Sequence, residues 1–222
     1  MLDALCHLHL EPLWTHRERV VERARAAGVS RLLVAATDRT SWRRVLACRD
    51  AGPVAIGLHP WFGGDPSQLR DVARTEGVDA IGEIGLDAAR GGLDQQLVVL
   101  RAQLEVAAEL GLPVVLHCVR AHHLLLPELK RVPVTGVLHA YSGGPNLVES
   151  YLALGLHFSV GRSALRPGKR LRAALAVIPS DRLLAETDAP DQLAEPHALP
   201  AVVEALVKLG TSPQSRLFSE ST

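Results

Sequence analysis

Short apolar runs and longer stretches with helical spacing alternate about eight times along this chain, and this alternation limits the folds open to it. The short runs are rich in Leu, Val, Ile and Ala, as is typical of parallel strands buried on both faces. Eight strand–helix units are the number that closes a (β/α)8 barrel, or TIM barrel. We therefore predict an α/β chain that forms one TIM-barrel domain over residues 1–222.

The predicted strands cover residues 2–10, 31–36, 54–59, 79–85, 113–118, 136–141, 156–160 and 182–188. The predicted helices cover residues 15–27, 40–50, 66–76, 94–110, 121–130, 145–154, 169–176 and 199–209. Pro127 is expected to kink or shorten the fifth helix, because proline lacks the N–H that a helix interior needs. The alternative architecture is an open doubly wound sheet, but no GxGxxG or GxxxxGK[ST] motif follows any predicted strand.

Composition narrows the classes of protein to consider. Lys+Arg and Asp+Glu both number 24, so the net charge indicates no general attraction to nucleic acid or to an anionic membrane, although a local basic patch stays open. Cys6, Cys48 and Cys118 are too few and too scattered for a disulfide framework, and we expect them to be small buried side chains. No apolar stretch is long enough to span a membrane, and the first residues lack a secretory signal pattern. A cytoplasmic protein, monomeric or weakly homo-oligomeric, is the expectation.

Polar side chains fall at the ends of otherwise apolar strands, which is where a TIM barrel carries its active site. They are His7, His9, His59, Glu83, His117, His139, Glu186 and Asp188. A single buried histidine is more often an interior residue with satisfied hydrogen bonds than a ligand. Several imidazoles and carboxylates at one end of a barrel need partners, and a metal centre supplies them together.

The motif His7-Leu8-His9 lies in the first predicted strand. Residues two apart point to the same face of a strand, so the two imidazoles would lie side by side as metal ligands. The alternative is a pair of polar residues on an exposed face, with Leu8 and Leu10 facing the core.

A two-metal centre would use Glu83 as the group that bridges two ions about 4 Å apart. The remaining ligands would then divide, with His7, His9 and Asp188 on one ion and His117 and His139 on the other. A metal-bound water becomes a nucleophile near neutral pH, and Asp188 is the residue expected to accept or steer its proton. The structural alternatives are an N-cap role for Asp188 and a salt bridge across the barrel for Glu83.

Six motifs then carry a resemblance to a known family. They are His7-Leu8-His9, Gly57-Leu58-His59-Pro60, Ile81-Gly82-Glu83-Ile84-Gly85-Leu86-Asp87, Leu112-Pro113-Val114-Val115-Leu116-His117, His139-Ala140-Tyr141-Ser142-Gly143-Gly144 and Glu186-Thr187-Asp188-Ala189-Pro190. In this order and spacing the chain resembles the TatD-type metal-dependent hydrolases, the TatD DNase family of the amidohydrolase-like barrels. The resemblance implies a phosphodiesterase that acts on DNA with two divalent ions, which are Zn²⁺, Mg²⁺, Mn²⁺, Fe²⁺ or Co²⁺.

The resemblance also implies roles for individual residues. The implied ligands are His7, His9, Glu83, His117, His139 and Asp188, and Glu83 and Asp188 are the implied catalytic residues. The implied substrate-side residues are His59, Arg120, Ser142 and Glu186, with Glu186 a supporting carboxylate rather than a ligand.

The chain departs from the family pattern in places that bear on the substrate. Leu5 stands where the family has Asp two residues before the first histidine, and Val119 stands where it has Arg two residues after His117. Asparagines of the family are missing from His197-Ala198-Leu199-Pro200 and ahead of Leu217-Phe218, and the loop after Asp188 is short. Two alternatives therefore stay open beside a nuclease: a hydrolase of a small ester, amide or phosphoester, and a non-catalytic metal-binding protein.

Overall fold

Eight parallel strands form the barrel in the computed structural model, which describes residues 1–216. The strands are Leu2–Cys6 (β1), Arg31–Ala35 (β2), Val54–Ile56 (β3), Ala80–Asp87 (β4), Val114–Val119 (β5), Gly136–Leu138 (β6), Leu156–Val160 (β7) and Leu183–Ala185 (β8). They pair in chain order from β1 to β8, with every pair parallel. The predicted TIM-barrel fold is confirmed.

A helix follows each strand. The helices are Arg17–Ala26 (α1), Trp42–Leu46 (α2), Leu69–Glu76 (α3), Leu93–Leu110 (α4), His122–Arg131 (α5), Pro145–Leu152 (α6), Lys169–Leu175 (α7) and Leu199–Lys208 (α8). Pro127 lies inside α5, which still runs for ten residues, so the expected shortening of this helix was wrong. Among the helices of residues 1–216, none has both the length and the apolarity to cross a membrane.

Two apolar layers hold the barrel together. The inner layer fills the barrel with a cluster that includes Leu5, Leu33, Ala35, Val115 and Leu184, all wholly buried. The outer layer packs the strands against the helices and contains the three cysteines, which are buried and free. Because both faces of each strand are covered, the sequence of each strand is a continuous apolar run rather than an alternating pattern.

The barrel closes where β8 meets β1. The Asp188 N–H donates to the Leu5 carbonyl at 2.9 Å, and the His7 N–H donates to the Ala189 carbonyl at 2.7 Å. Below this junction, the buried Asp3 carboxyl bonds the Thr187 backbone N–H at 2.8 Å and the Thr187 hydroxyl at 2.5 Å. This closure brings His7, which follows the first strand, and Asp188, which follows the last strand, to the same side of the barrel mouth.

The first strand is shorter than the sequence predicts. β1 ends at Cys6, and the Leu10 N–H donates to the His7 carbonyl at 2.9 Å, which turns the chain. The prediction of a strand over residues 2–10 was therefore wrong. The apolar alternation continues past Cys6 because Leu8 packs into the outer apolar layer from the turn, with 1% of its surface exposed. The closing motif at Leu217-Phe218 lies outside the described residues.

Candidate active site

Glu83 lies at the centre of the barrel mouth, on β4. One of its carboxylate oxygens, Oε1, lies 3.1 Å from His59 Nε2, 2.9 Å from His117 Nδ1 and 2.8 Å from His139 Nε2. The other oxygen, Oε2, lies 3.3 Å from His7 Nε2. Each imidazole comes from the end of a different strand, and all four are buried. The sequence-predicted Glu83, His7, His117 and His139 are thus brought together, and His59 joins them.

Two glycines allow β4 to lie close enough to β5 for this arrangement. A Cβ on Gly82 would come within 2.5 Å of the Val115 Cβ. A side chain on Gly85, whose φ is +149°, would collide with the His117 carbonyl oxygen. Because Gly85 pairs with His117 across the two strands, this close approach sets the distance between Glu83 and the His117 ring.

The surroundings of Glu83 keep it ionised. Burial opposes the charge, but His139 and His59 together with hydrogen bonds outweigh it and hold the pKa of Glu83 well below its usual range. Burial also opposes the charged form of His139, yet Glu83 raises the pKa of that imidazole well above its ordinary value. An anionic oxygen surrounded by imidazole nitrogens is a donor set that suits divalent transition metals.

A second group lies at the junction of β1 and β8. His7 Nε2 is 3.2 Å from Asp188 Oδ1, while His7 Nδ1 bonds the Ala35 carbonyl at 2.9 Å. Since a carbonyl only accepts, Nδ1 is the donor and Nε2 faces the site. Burial opposes ionisation of Asp188, but His7 outweighs it and lowers the pKa of this carboxyl. The Gln192 side-chain amide donates to the other oxygen of Asp188 at 2.9 Å and fixes its orientation.

Backbone strain is concentrated at the same mouth. Arg120, Ala140 and Asp188 have φ values of +54°, +44° and +49°, although none of them is glycine. Arg120 directly follows β5, Ala140 lies two residues after β6, and Asp188 lies three residues after β8. Left-handed backbone at a non-glycine residue costs about 1–3 kcal/mol, and residues of this kind cluster at functional sites.

His9 does not join the cluster. Its ring centroid lies 5.6 Å from that of His7, and its Nε2 lies 3.4 Å from the Thr37 hydroxyl. The expectation that His7 and His9 lie side by side on one strand face was wrong, because β1 has already ended at Cys6. The buried Asp3 also changes how the family motif is placed on this chain. If Asp3 is the family's acidic residue, then His7 is its second histidine and Leu5 stands in the place of the first.

The substrate-side residues lie in different places. His59 contacts Glu83 directly, as described above. Arg120 and Ser142 are exposed in the loops after β5 and β6, outside the residues that line the mouth cavity. Glu186 is wholly buried and accepts hydrogen bonds from the Ala140 N–H at 2.8 Å and the Ser159 hydroxyl at 2.5 Å. It therefore supports the backbone beside His139, and substrate contacts of these residues stay a prediction.

Sequence reasoning assigned no role to Asp87. Its Oδ2 lies 3.3 Å from His117 Nε2 and accepts a 2.5 Å hydrogen bond from the Trp61 indole N–H. This carboxylate orients the His117 ring through the nitrogen that faces away from Glu83. The available signal was its position four residues after Glu83 on the same strand, which places both side chains on one face.

A cavity of about 370 Å³ opens above these groups. Its floor is formed by His7, His59, Glu83, His117, His139 and Asp188. Trp61 and Phe62 form one wall and also line a neighbouring cavity of about 450 Å³. Two sets of side chains in the described residues have ligand atoms within 4.8 Å of one another, namely His59 with Glu83 and His117, and His7 with Asp188 and Asp191.

Comparison with known proteins identifies the family. The family described as TatD related DNase matches residues 2–217. The chain is 39% identical over 191 residues to the "3'-5' ssDNA/RNA exonuclease TatD" of Erwinia tasmaniensis, which spans 78% of this chain and 73% of that protein. It is 37% identical over 205 residues to the "Uncharacterized metal-dependent hydrolase YjjV" of Escherichia coli, which spans 86% of this chain and 79% of that protein.

Solved structures agree with this assignment. The crystal structure of YjjV, a TatD homologue from Escherichia coli, superposes with a TM-score of 0.87 at 33% identity, over 94% of this chain and 90% of that one. A TatD-family hydrolase from Entamoeba histolytica shares the fold, with a TM-score of 0.83 at 18% identity over 96% of this chain and 92% of that one. The chain therefore belongs to the TatD-related DNase family and is a hydrolase of the TatD type.

Proposed function

We propose that this protein is a divalent-metal-dependent phosphodiesterase that removes nucleotides from the 3' end of single-stranded nucleic acid. The observation that carries the proposal is the convergence of four imidazoles on Glu83 at the floor of an open cavity. The relatives named as 3'-5' ssDNA/RNA exonucleases support the choice of substrate.

The residues fit a pair of divalent ions. Buried Asp188 Oδ1 has no hydrogen-bond partner among the described residues, and the surrounding donors are imidazole nitrogens and carboxylate oxygens. Zn²⁺, Mn²⁺, Fe²⁺ and Co²⁺ all accept such a set, and Mg²⁺ accepts its carboxylates. Glu83, His59, His117 and His139 would hold one ion, and His7 and Asp188 together with Glu83 would hold the other. When bound, such ions neutralise phosphate charge and make water nucleophilic near pH 7.

Asp188 is the residue that we expect to move the proton. Its carboxyl is ionised at neutral pH, because His7 lowers its pKa, and it lines the cavity. Gln192 holds one oxygen, so the other is directed at His7 and the cavity floor. An oriented, ionised carboxylate is suited to accept the proton of an attacking water.

Trp61 and Phe62 are suited to hold a nucleobase next to the scissile phosphate. They are 45% and 58% exposed, which is unusual for large aromatic side chains, and they form the wall between the two cavities. The Arg90 guanidinium lies 4.1 Å from the centre of the Trp61 ring. Aromatic stacking contributes about 1–3 kcal/mol per unpaired base and needs no sequence preference.

The experiment is digestion of a 5'-labelled single-stranded oligonucleotide by protein supplied with Mg²⁺, Mn²⁺ or Zn²⁺. We expect shortening from the 3' end that stops on chelation. Trp61→Ala should raise KM for the oligonucleotide about tenfold, but not for a small chromogenic phosphodiester. Trp14→Ala is the matched control, since Trp14 also lies beside arginines but in the turn that precedes α1, away from the mouth cavity. Absence of cleavage with all three metals would contradict the proposal, and a strong preference for the small substrate would favour the alternative hydrolase.

A further inference from the structure

The edge of the site between β1 and β8 contains a set of ligands that includes a loop residue. His7, Asp188 and Asp191 offer ligand atoms that all lie within 4.8 Å of one another. His7 and Asp188 are more than nine-tenths buried. Asp188 Oδ1 has no hydrogen-bond partner among residues 1–216, although it lies 3.2 Å from His7 Nε2. A buried, unpartnered oxygen directed at an imidazole distinguishes this group from a patch of surface acids.

The strand beneath this group supplies no ligand. Leu5 lies two residues before His7, on the inward side of β1, and is wholly buried in the apolar interior of the barrel. Glu83 Oε2 is 3.3 Å from His7 Nε2, but the other oxygen of this carboxylate contacts His59, His117 and His139. The edge therefore has one imidazole of its own and depends on carboxylates for its other donors.

The turn after β8 places Asp191 over this edge. The Gln192 N–H donates to the Asp188 carbonyl at 3.0 Å and closes the turn. The Gln192 side chain also bonds the Asp188 carboxylate, so the turn and the carboxylate are fixed together. Asp191 is exposed and lines the mouth cavity. Its carboxylate is thus held at the rim, on the side of the cavity where His7 lies.

We propose that Asp191 is a metal ligand, and that it completes with His7 and Asp188 a cation position that apolar Leu5 leaves short of a donor. This inference rests on the proposed metal-dependent function and makes its two ions unequal. The position beside Glu83, His59, His117 and His139 has three imidazoles and binds the tighter ion. The edge position depends on an exposed carboxylate and binds the weaker one.

The test is a titration of chelator-treated protein with Mn²⁺. Binding is measured by calorimetry and, independently, by the paramagnetic resonance signal of free Mn²⁺. We expect two classes of site in the unchanged protein. Asp191→Asn should raise the Kd of the weaker class at least tenfold and leave the tighter class unchanged, and Asp191→Glu should restore part of the affinity. Asp181→Asn is the control, because Asp181 is also exposed but lies in the turn that precedes β8, at the far end of the barrel.

Each outcome separates this inference from the proposed function. Two classes of site with unchanged affinities in Asp191→Asn would overturn the role of Asp191. A single Mn²⁺ bound by an active nuclease would overturn the edge position and leave the phosphodiesterase standing. Two ions bound in the predicted manner by a protein that cleaves no nucleic acid would support Asp191 and overturn the nuclease. Circular dichroism would verify that Asp191→Asn is folded, as expected for an exposed side chain.

Discussion

The two halves of the site are built in different ways. Around Glu83 on β4, three imidazoles come from the ends of the nearby strands β3, β5 and β6, and pairing between adjacent strands brings them together. At the other half, His7 and Asp188 come from opposite ends of the chain and meet only because β8 closes against β1. The first half is a property of neighbouring strands, whereas the second depends on closure of the whole barrel.

This difference predicts that changes outside the site affect the two halves separately. The Glu83 half is supported by glycines that allow two adjacent strands to approach. The edge half is supported by Asp3, whose carboxyl bonds Thr187 immediately before Asp188. A change at Asp3 should therefore disturb one half and spare the other.

The largest expected effect comes from Glu83→Gln, which removes the charge that both halves share. We expect kcat/KM for single-stranded DNA to fall about 10³-fold or more, because the amide has no charge and keeps only one of the two oxygen atoms that the carboxylate offers. Mn²⁺ binding should weaken at both classes of site. Glu76→Gln, at the exposed end of α3, is the matched control. Loss of only one class of site would show that the halves are independent and that Glu83 does not link them.

The half around Glu83 was the more predictable from sequence. Glu83, His117 and His139 each follow or interrupt an apolar run, and parallel strands bring their carboxyl ends to one rim. The TIM-barrel fold followed from the same runs. Asp87 is part of the motif that contains Glu83, but the sequence assigned it no role. A strand pattern shows which face a side chain is on, and not which ring it orients.

The edge half was predicted less well. The alternation around His7 and His9 resembles a strand, yet the end of β1 is set by its pairing with the end of β8, almost the whole chain away. Local pattern contains no information on that distant partner. Asp191 and Gln192 escaped prediction for a related reason, since only the turn after β8 places them over His7.

An intermediate effect is expected on the free energy of unfolding, through Asp3, whose carboxyl supports the edge half. Burial raises the pKa of Asp3 to about 8, with Glu186 adding to it and the bonds from Thr187 opposing it. Between its unfolded value of 3.8 and about 8, the native state therefore holds a proton that the unfolded state releases. The free energy of unfolding should fall as pH rises through this window, by about 1 kcal/mol per pH unit from this group.

Asp3→Asn tests this by removing the titration while keeping one acceptor and one donor for Thr187. Urea unfolding at pH 5, 6, 7 and 8 should show the variant gaining stability relative to the unchanged protein as pH rises. Asp71→Asn, an exposed change on α3, serves as the reference. Parallel pH profiles for the unchanged protein and Asp3→Asn would contradict the buried, protonated state of Asp3.

The smallest effect is expected for His9→Gln, and it decides whether the motif at the first strand contains one ligand or two. Burial and the charge of His7 lower the pKa of His9 to about 3, so the ring is neutral, and it bonds Thr37 rather than a carboxylate of the site. Glutamine can keep a bond to Thr37, so we expect kcat/KM to change less than about threefold, whereas His7→Gln should lower it about 10²-fold. Mn²⁺ titration of both variants completes the comparison. Equal losses of metal and activity would make His9 a ligand, which would require the turn after β1 to rearrange when the ion binds.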